Sequence, residues 1–96
     1  MTPEFHPAAQ TELAAAVKIG NERSPLLGGE LMDEVRRVIA LLCDMPQIGE
    51  PLDERHRRFP LNRFPFGVIF RTDGDLLRIV AMAHRRQRPG YWSSRA

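Results

Sequence analysis

The side chains best able to do chemistry crowd into one short stretch. In "VAMAHRRQRPGYW" an apolar run ends at His84 and is followed by Arg85, Arg86 and Arg88, then by Tyr91 and Trp92. Guanidinium groups grip phosphate or carboxylate through a planar fork. An imidazole moves protons near neutral pH, and aromatic rings stack on bases. Arg63 and Arg71, earlier in the same half of the chain, add cations of the same kind. Such a set suits three chemistries. It can bind nucleic acid through phosphate contacts. It can cleave RNA without metal, with Arg85 or Arg86 steadying phosphate charge while His84 or Tyr91 transfers the proton. It can also dock an acidic protein segment. The plainest alternative is a strand that leaves the core and meets water, with Trp92 folded back as a cap.

Other chemistries find less support. His6, His56 and His84 lack ligand spacing and a nearby acidic second ligand, and Cys43 is the only cysteine, so no metal site and no disulfide are expected. Cys43 sits beside an apolar stripe and reads as a small core residue. Ser24 is placed as a helix cap, Ser93 and Ser94 fall near the end, and Gly28 and Gly29 stand apart from any phosphate-loop pattern. "LDERHRR" reads as a solvated loop. No cofactor is implied.

Charge is distributed unevenly. The net charge is only +2, but residues 1–54 hold four Lys and Arg against ten acids, a net of −6. Residues 55–96 hold ten arginines against Asp73 and Asp75, a net of +8. A basic half built wholly of arginine suits a phosphate-rich or acidic partner.

The elements that must position these residues fit one domain spanning residues 1–96, with 89–96 as a C-terminal tail. A chain of this size removes about two-thirds of its unfolded surface from water, enough for one core. Hydrophobic and charged shares of 43% and 27% are those of a globular protein. No signal segment opens the chain and no apolar run is long enough to span a bilayer, so a cytoplasmic location without membrane contact is expected.

"MTPEF" reads as a short strand that Pro3 confines to an edge or a strand start. From Pro7, Ala9, Leu13, Ala16 and Gly20 form a thin small-residue stripe that allows close approach by a neighbour. Ser24, with Pro25 behind it, is expected to cap a second helix carrying Leu27, Leu31, Val35, Val38, Leu42 and Met45. "RRFPLNRF" gives an edge strand. "FGVIFRT" and "DLLRIVAMAH" flank Asp73 and Gly74 as a hairpin. Phe66, Val68 and Phe70 then share one face of the first hairpin strand. In the second strand Leu77, Ile79, Ala81 and Ala83 share one face, with Leu76, Val80 and Met82 on the other. Both faces of that strand are apolar, so the helices should cover one and the tail or a partner the other. The expected class is α+β, a two-helix hairpin packed on a small, mainly antiparallel sheet of three or four strands.

This order of elements, with "FHPAAQTEL", "LMDEVRRVIALLCDMPQIG", "RFPFGVIFR" and above all "LLRIVAMAHRRQRPGYW", resembles the ParE/RelE superfamily of bacterial toxins over nearly the whole chain. The resemblance implies the fold just described, a cytoplasmic location, and a cognate antitoxin bound in a hetero-oligomer. ParE-like members imply inhibition of DNA gyrase by binding. RelE-like members imply ribosome-dependent cleavage of mRNA, and a third outcome is a non-toxic member that binds only its antitoxin. The RelE-like branch often places arginine where this chain has Gly67, and tyrosine where it has Trp92. Relatives often carry a Trp-Tyr pair where "KIG" stands at Lys18 to Gly20. The departures at Gly67 and Trp92 leave two catalytic roles vacant and favour the ParE-like branch, with Arg63, Arg71, Arg85, Arg86, Arg88 and Trp92 as the target-binding set. If the protein is a ribonuclease, His84, Arg85, Arg86 and Tyr91 are the catalytic candidates.

Overall fold

The computed structural model describes residues 1–96 and places a helical hairpin across a five-stranded sheet. β1 (Thr2–Phe5) leads into α1 (Pro7–Arg23) and α2 (Leu27–Asp44). A 3-10 turn (Pro46–Ile48) precedes β2 (Glu50–Pro51), β3 (Arg57–Pro60), β4 (Phe66–Asp73) and β5 (Leu76–His84). The sheet order is β1-β5-β4-β3-β2, with β1 parallel to β5 and every other pair antiparallel. The α+β class is as expected, but the sheet has five strands rather than three or four. β2 is two residues long and includes Pro51, so it leaves no periodic trace in the sequence. β1, which carries Pro3, lies at an edge.

The small-residue face of α1 does what its composition allows. Ala9, Leu13 and Gly20 are buried, and a Cβ on Gly20 would stand 3.3 Å from the Gly28 nitrogen of α2. The capping expectation is corrected. Ser24 is the C-cap of α1, while α2 begins after Leu26 with no side-chain cap of its own. Asn21 supplies the missing acceptor from the other helix, its Oδ1 taking the Gly28 N–H at 3.0 Å. At the start of α1, Pro7 sits at the first helical position and His6 Nδ1 accepts the Ala8 N–H at 3.0 Å.

The hairpin is present, shifted by one residue. Asp73 pairs with Leu76, so the turn is Gly74–Asp75, with Gly74 at φ 57 in the first central position of a II′-like turn. A second shift changes which residues share a face. Ile69 opposes Ala81 but Phe70 opposes Ile79, leaving Val80 as an extra residue on β5. Leu77, Ile79 and Met82 therefore join Val68 and Phe70 beneath the helices, whereas Val80, Ala81 and Ala83 join Ile69 on the opposite face. The strict alternation read from the sequence fails at this bulge, because one inserted residue moves all later side chains by one step.

β1 pairs with β5 only as far as Ile79. The next two groups on that edge are taken by side chains. Arg95 donates to the Val80 carbonyl at 3.0 Å, and Glu12 accepts the Met82 N–H at 3.0 Å. The tail thus does two jobs. Arg95 closes the end of this edge, and Trp92 covers the sheet face away from the helices.

A candidate arginine-lined binding site

Folding removes much of the arginine excess from the surface field. Arg55 and Arg71 pair with Asp73, Arg63 with Glu30 at 2.9 Å, Arg78 with Glu4, and Arg95 with Glu12 at 2.9 Å. Glu4, Glu12 and Glu30 belong to the acidic half, so a segregation that is sharp along the sequence is partly undone in space. Arg57 donates to the Gln47 and Gly49 carbonyls at 3.1 and 2.8 Å. Arg58, Arg85, Arg86 and Arg88 have neither a carboxylate nor a carbonyl partner for their guanidinium groups.

Two expected rim residues lie elsewhere. Arg63 is on the loop before β4, bound to Glu30 of α2. Arg71 opposes Arg78 near the hairpin turn, its side chain only 10% exposed and bonded to Asp73 and the Ala96 carbonyl. His84 opposes Phe66, five residues back along β4, which separates Arg71 from the strand end by about 16 Å. Six side chains expected as one patch therefore do not form one.

Trp92 is also displaced from the rim. It is 6% exposed and packs on Ile69, Val80, Ala81 and Ala83, because the bulge turns two successive apolar side chains onto a face that no helix covers. Its ring lies 4.7 Å, centroid to centroid, from that of His56, tilted by 50°. His56 is itself buried, and its Nδ1 stands 3.0 Å from both oxygens of Asp53. "LDERHRR" is therefore not solvated throughout, and His56 does have a carboxylate neighbour. The Arg55 N–H chiefly, with further bonds from His56, holds the Asp53 carboxyl below its usual range against the opposing effect of desolvation. No group of three His, Cys, Asp or Glu side chains is placed to hold a metal ion.

Tyr91 is held differently from a proton-transfer group. Its hydroxyl donates to Glu12 at 2.8 Å, and burial together with that carboxylate pushes the phenol far above its usual value. Burial acts to raise the Glu12 carboxyl, but hydrogen bonds from Arg95, Tyr91 and the Met82 N–H outweigh it and leave the group below its usual range. Tyr91 thus keeps its proton at neutral pH and serves as a tether for the tail.

The remaining candidates do meet at the end of β5. Arg85 N–H donates to the Pro65 carbonyl at 2.8 Å, His84 N–H to Gln87 Oε1 at 2.9 Å, and Gln87 N–H back to the His84 carbonyl at 3.0 Å. His84 Nδ1 accepts the Arg86 N–H at 3.1 Å, and the ring stands edge-on to Phe66 with centroids 5.2 Å apart. This tight turn leaves the Arg85, Arg86 and Arg88 side chains exposed. Below it is a cavity of about 470 Å³ whose lining includes Arg58, Ile69, Ala83, His84, Arg85 and Arg88. Arg58 is a site residue that sequence reading missed. Its one trace in the sequence is Gly67, since a Cβ there would come within 2.5 Å of the Arg58 guanidinium carbon. The strand position without an arginine of its own is crossed by one from β3.

The largest concavity lies elsewhere, as an apolar groove of about 890 Å³ along the helical hairpin. Phe5, Leu13, Val17, Met32, Val35 and Ile39 line it. No helix is long and apolar enough to cross a membrane.

Comparison with known proteins places this geometry among relatives. Residues 4–89 match the family model described as the ParE toxin of type II toxin-antitoxin system, parDE. Among solved structures, a chain of the "Chromosomal ParDE TA system from P. aeruginosa" superposes with a TM-score of 0.58 at 20% identity. The match covers 88% of this chain and 95% of that one, and at this identity it speaks for the fold. A search of curated proteins gives no match.

Proposed function

From the premise that this chain belongs to the ParE toxin family of type II toxin-antitoxin systems, we propose that it inhibits DNA gyrase by binding and is neutralised by a cognate antitoxin. The observation that carries this reading is the selective pairing of the arginines. Arg85, Arg86 and Arg88 stay exposed and unpaired on one hydrogen-bonded turn, while five other arginines of the same half are held by carboxylates. Cations kept free on an ordered turn are available to an anionic partner without reorganisation.

The antitoxin would use both surfaces that the fold leaves open. An acidic segment suits the arginine turn, and an apolar helix or strand suits the groove along α1 and α2. Covering the turn would block the target and so account for neutralisation.

Binding fits the site better than catalysis does. Tyr91 is tied to Glu12, and His84 keeps only Nε2 clear of a hydrogen bond within the turn. The test is a supercoiling assay with purified gyrase, in which the protein should stall the reaction. Cut transcripts from programmed ribosomes would instead indicate a ribonuclease, and harmless overexpression without antitoxin would indicate a member that only binds its antitoxin. The double variant Arg86→Ala with Arg88→Ala should lose toxicity with an unchanged melting temperature, because neither side chain has an intramolecular partner. Arg63→Ala, which alters an ion pair away from the turn, should stay toxic.

A further inference from the structure

Five arginines in this protein are half-buried: Arg57, Arg58, Arg71, Arg78 and Arg95. Four of them have acceptors, namely two carbonyls for Arg57, Asp73 for Arg71, Glu4 for Arg78, and Glu12 with the Val80 carbonyl for Arg95. Arg58 has none. Its nitrogens keep contact with water, the one sealed side-chain polar atom without a partner being His56 Nε2, so Arg58 stands as a half-buried guanidinium left open to an acceptor from outside.

The surroundings of Arg58 support that conclusion. Gly67 lies inside β4, where glycine weakens a strand relative to alanine. Any larger residue would collide with the Arg58 guanidinium, so the glycine marks a close approach across the strand. Arg85 and Arg88 line the same cavity and are also unpaired. Asp53 also lines the cavity, but its carboxylate is engaged by the Arg55 and His56 N–H groups and by His56 Nδ1, so the three guanidinium groups repel one another without an anion of their own.

We propose that this cavity binds one phosphodiester of a nucleic-acid strand, with Arg58, Arg85 and Arg88 as the phosphate-binding cations. A single carboxylate is satisfied by one guanidinium fork, whereas tetrahedral phosphate oxygens can be approached from several sides. At about 470 Å³ the cavity has room for a nucleotide, and Ile69 and Ala83 give it an apolar wall against which a sugar can rest. The indole of Trp92 is committed to the apolar cluster, and the Tyr91 ring at the cavity wall carries the Arg95 guanidinium 5.0 Å over its centre, so neither ring is set as a stacking platform. Binding is accordingly through the backbone, tolerant of sequence and strongly dependent on salt. The inference extends the target-binding reading by naming the ligand chemistry at the arginine turn and adding Arg58 to it.

The test is fluorescence anisotropy of a labelled oligothymidylate with the full chain, between about 50 and about 200 mM salt. The wild-type protein should bind with an affinity that falls linearly on a log-log salt plot. Arg58→Gln should weaken binding about tenfold and reduce the salt slope by about one. Gly67→Ala leaves the charge unchanged, yet it should weaken binding comparably by displacing the Arg58 guanidinium. Arg36→Gln, on the exposed side of α2, should bind as the wild type does. Trp92 fluorescence verifies that each variant is folded. The proposal is overturned if the wild type ignores the oligonucleotide, if both cavity variants bind it unchanged, or if a polyglutamate peptide binds more tightly than the oligonucleotide. The assay contains no gyrase, so the two readings fail separately. Oligonucleotide binding without stalled supercoiling removes gyrase and keeps the phosphate site, whereas stalling without oligonucleotide binding does the opposite.

Discussion

Glu12 joins three elements through one carboxylate. It accepts from the β5 backbone at Met82 and from Tyr91 and Arg95 of the tail, while standing on α1. Its folded pKa lies below the ordinary 4.5, so the stability it contributes is full above 4.5 and is lost as pH falls through the lower folded value. Trp92, the only tryptophan, should report loosening of the tail in that acid window. In Glu12→Gln the share of the acid dependence that Glu12 supplies should vanish, leaving that of Asp53 beneath His56 and Trp92, from a starting stability about 1–2 kcal/mol lower. The chain also has a single tyrosine, so absorbance titration reads Tyr91 directly. Ionisation should begin well above the ordinary 10.0, and Glu12→Gln should bring it down. Neither side-chain partner of Glu12 was legible in the sequence, since Tyr91 and Arg95 lie about eighty residues away in the chain and no local pattern links them to α1.

At the scale of elements, what repeats locally was readable and what depends on a neighbour was not. The stripes of α1 and α2 and the β4–β5 hairpin follow from periods of 3.6 and 2 and from a glycine turn. The Val80 bulge does not, because it is compensated by Glu12 and Arg95 from other elements. The start of α2 was misread for the same reason: its acceptor is Asn21 across the hairpin rather than Ser24 beside it. Gly28→Ala tests that contact. The new Cβ would stand 2.4 Å from Asn21 Oδ1, so the amide must move and its bond to the Gly28 N–H be lost. Thermal unfolding should show a loss of about 1–2 kcal/mol, although alanine is the better helix former. An unchanged or higher melting temperature would mean that the helices can separate at no cost.

For the whole molecule, net charge along the chain was a true signal that the fold partly hides. The arginines at 85, 86 and 88 were legible as a site because they follow one another on a turn. Arg63 and Arg71 were assigned to the same patch because the carboxylates that engage them cannot be seen in a one-dimensional tally. Arg58 was missed because its guanidinium reaches sideways over a neighbouring strand, and only an otherwise unexplained glycine marks where it goes.

The plug formed by Arg95 and Glu12 also bears on solubility. The final segment hides a greasy sheet surface and, at the same time, the Val80 carbonyl on the border of the longest strand. A protein shortened to end at Gly90 would bare both together, and an uncovered strand border is a template for pairing with another copy. Such a variant should scatter light and bind thioflavin on standing while the chain that retains residues 91–96 stays clear, so those six residues would keep this molecule from polymerising with itself.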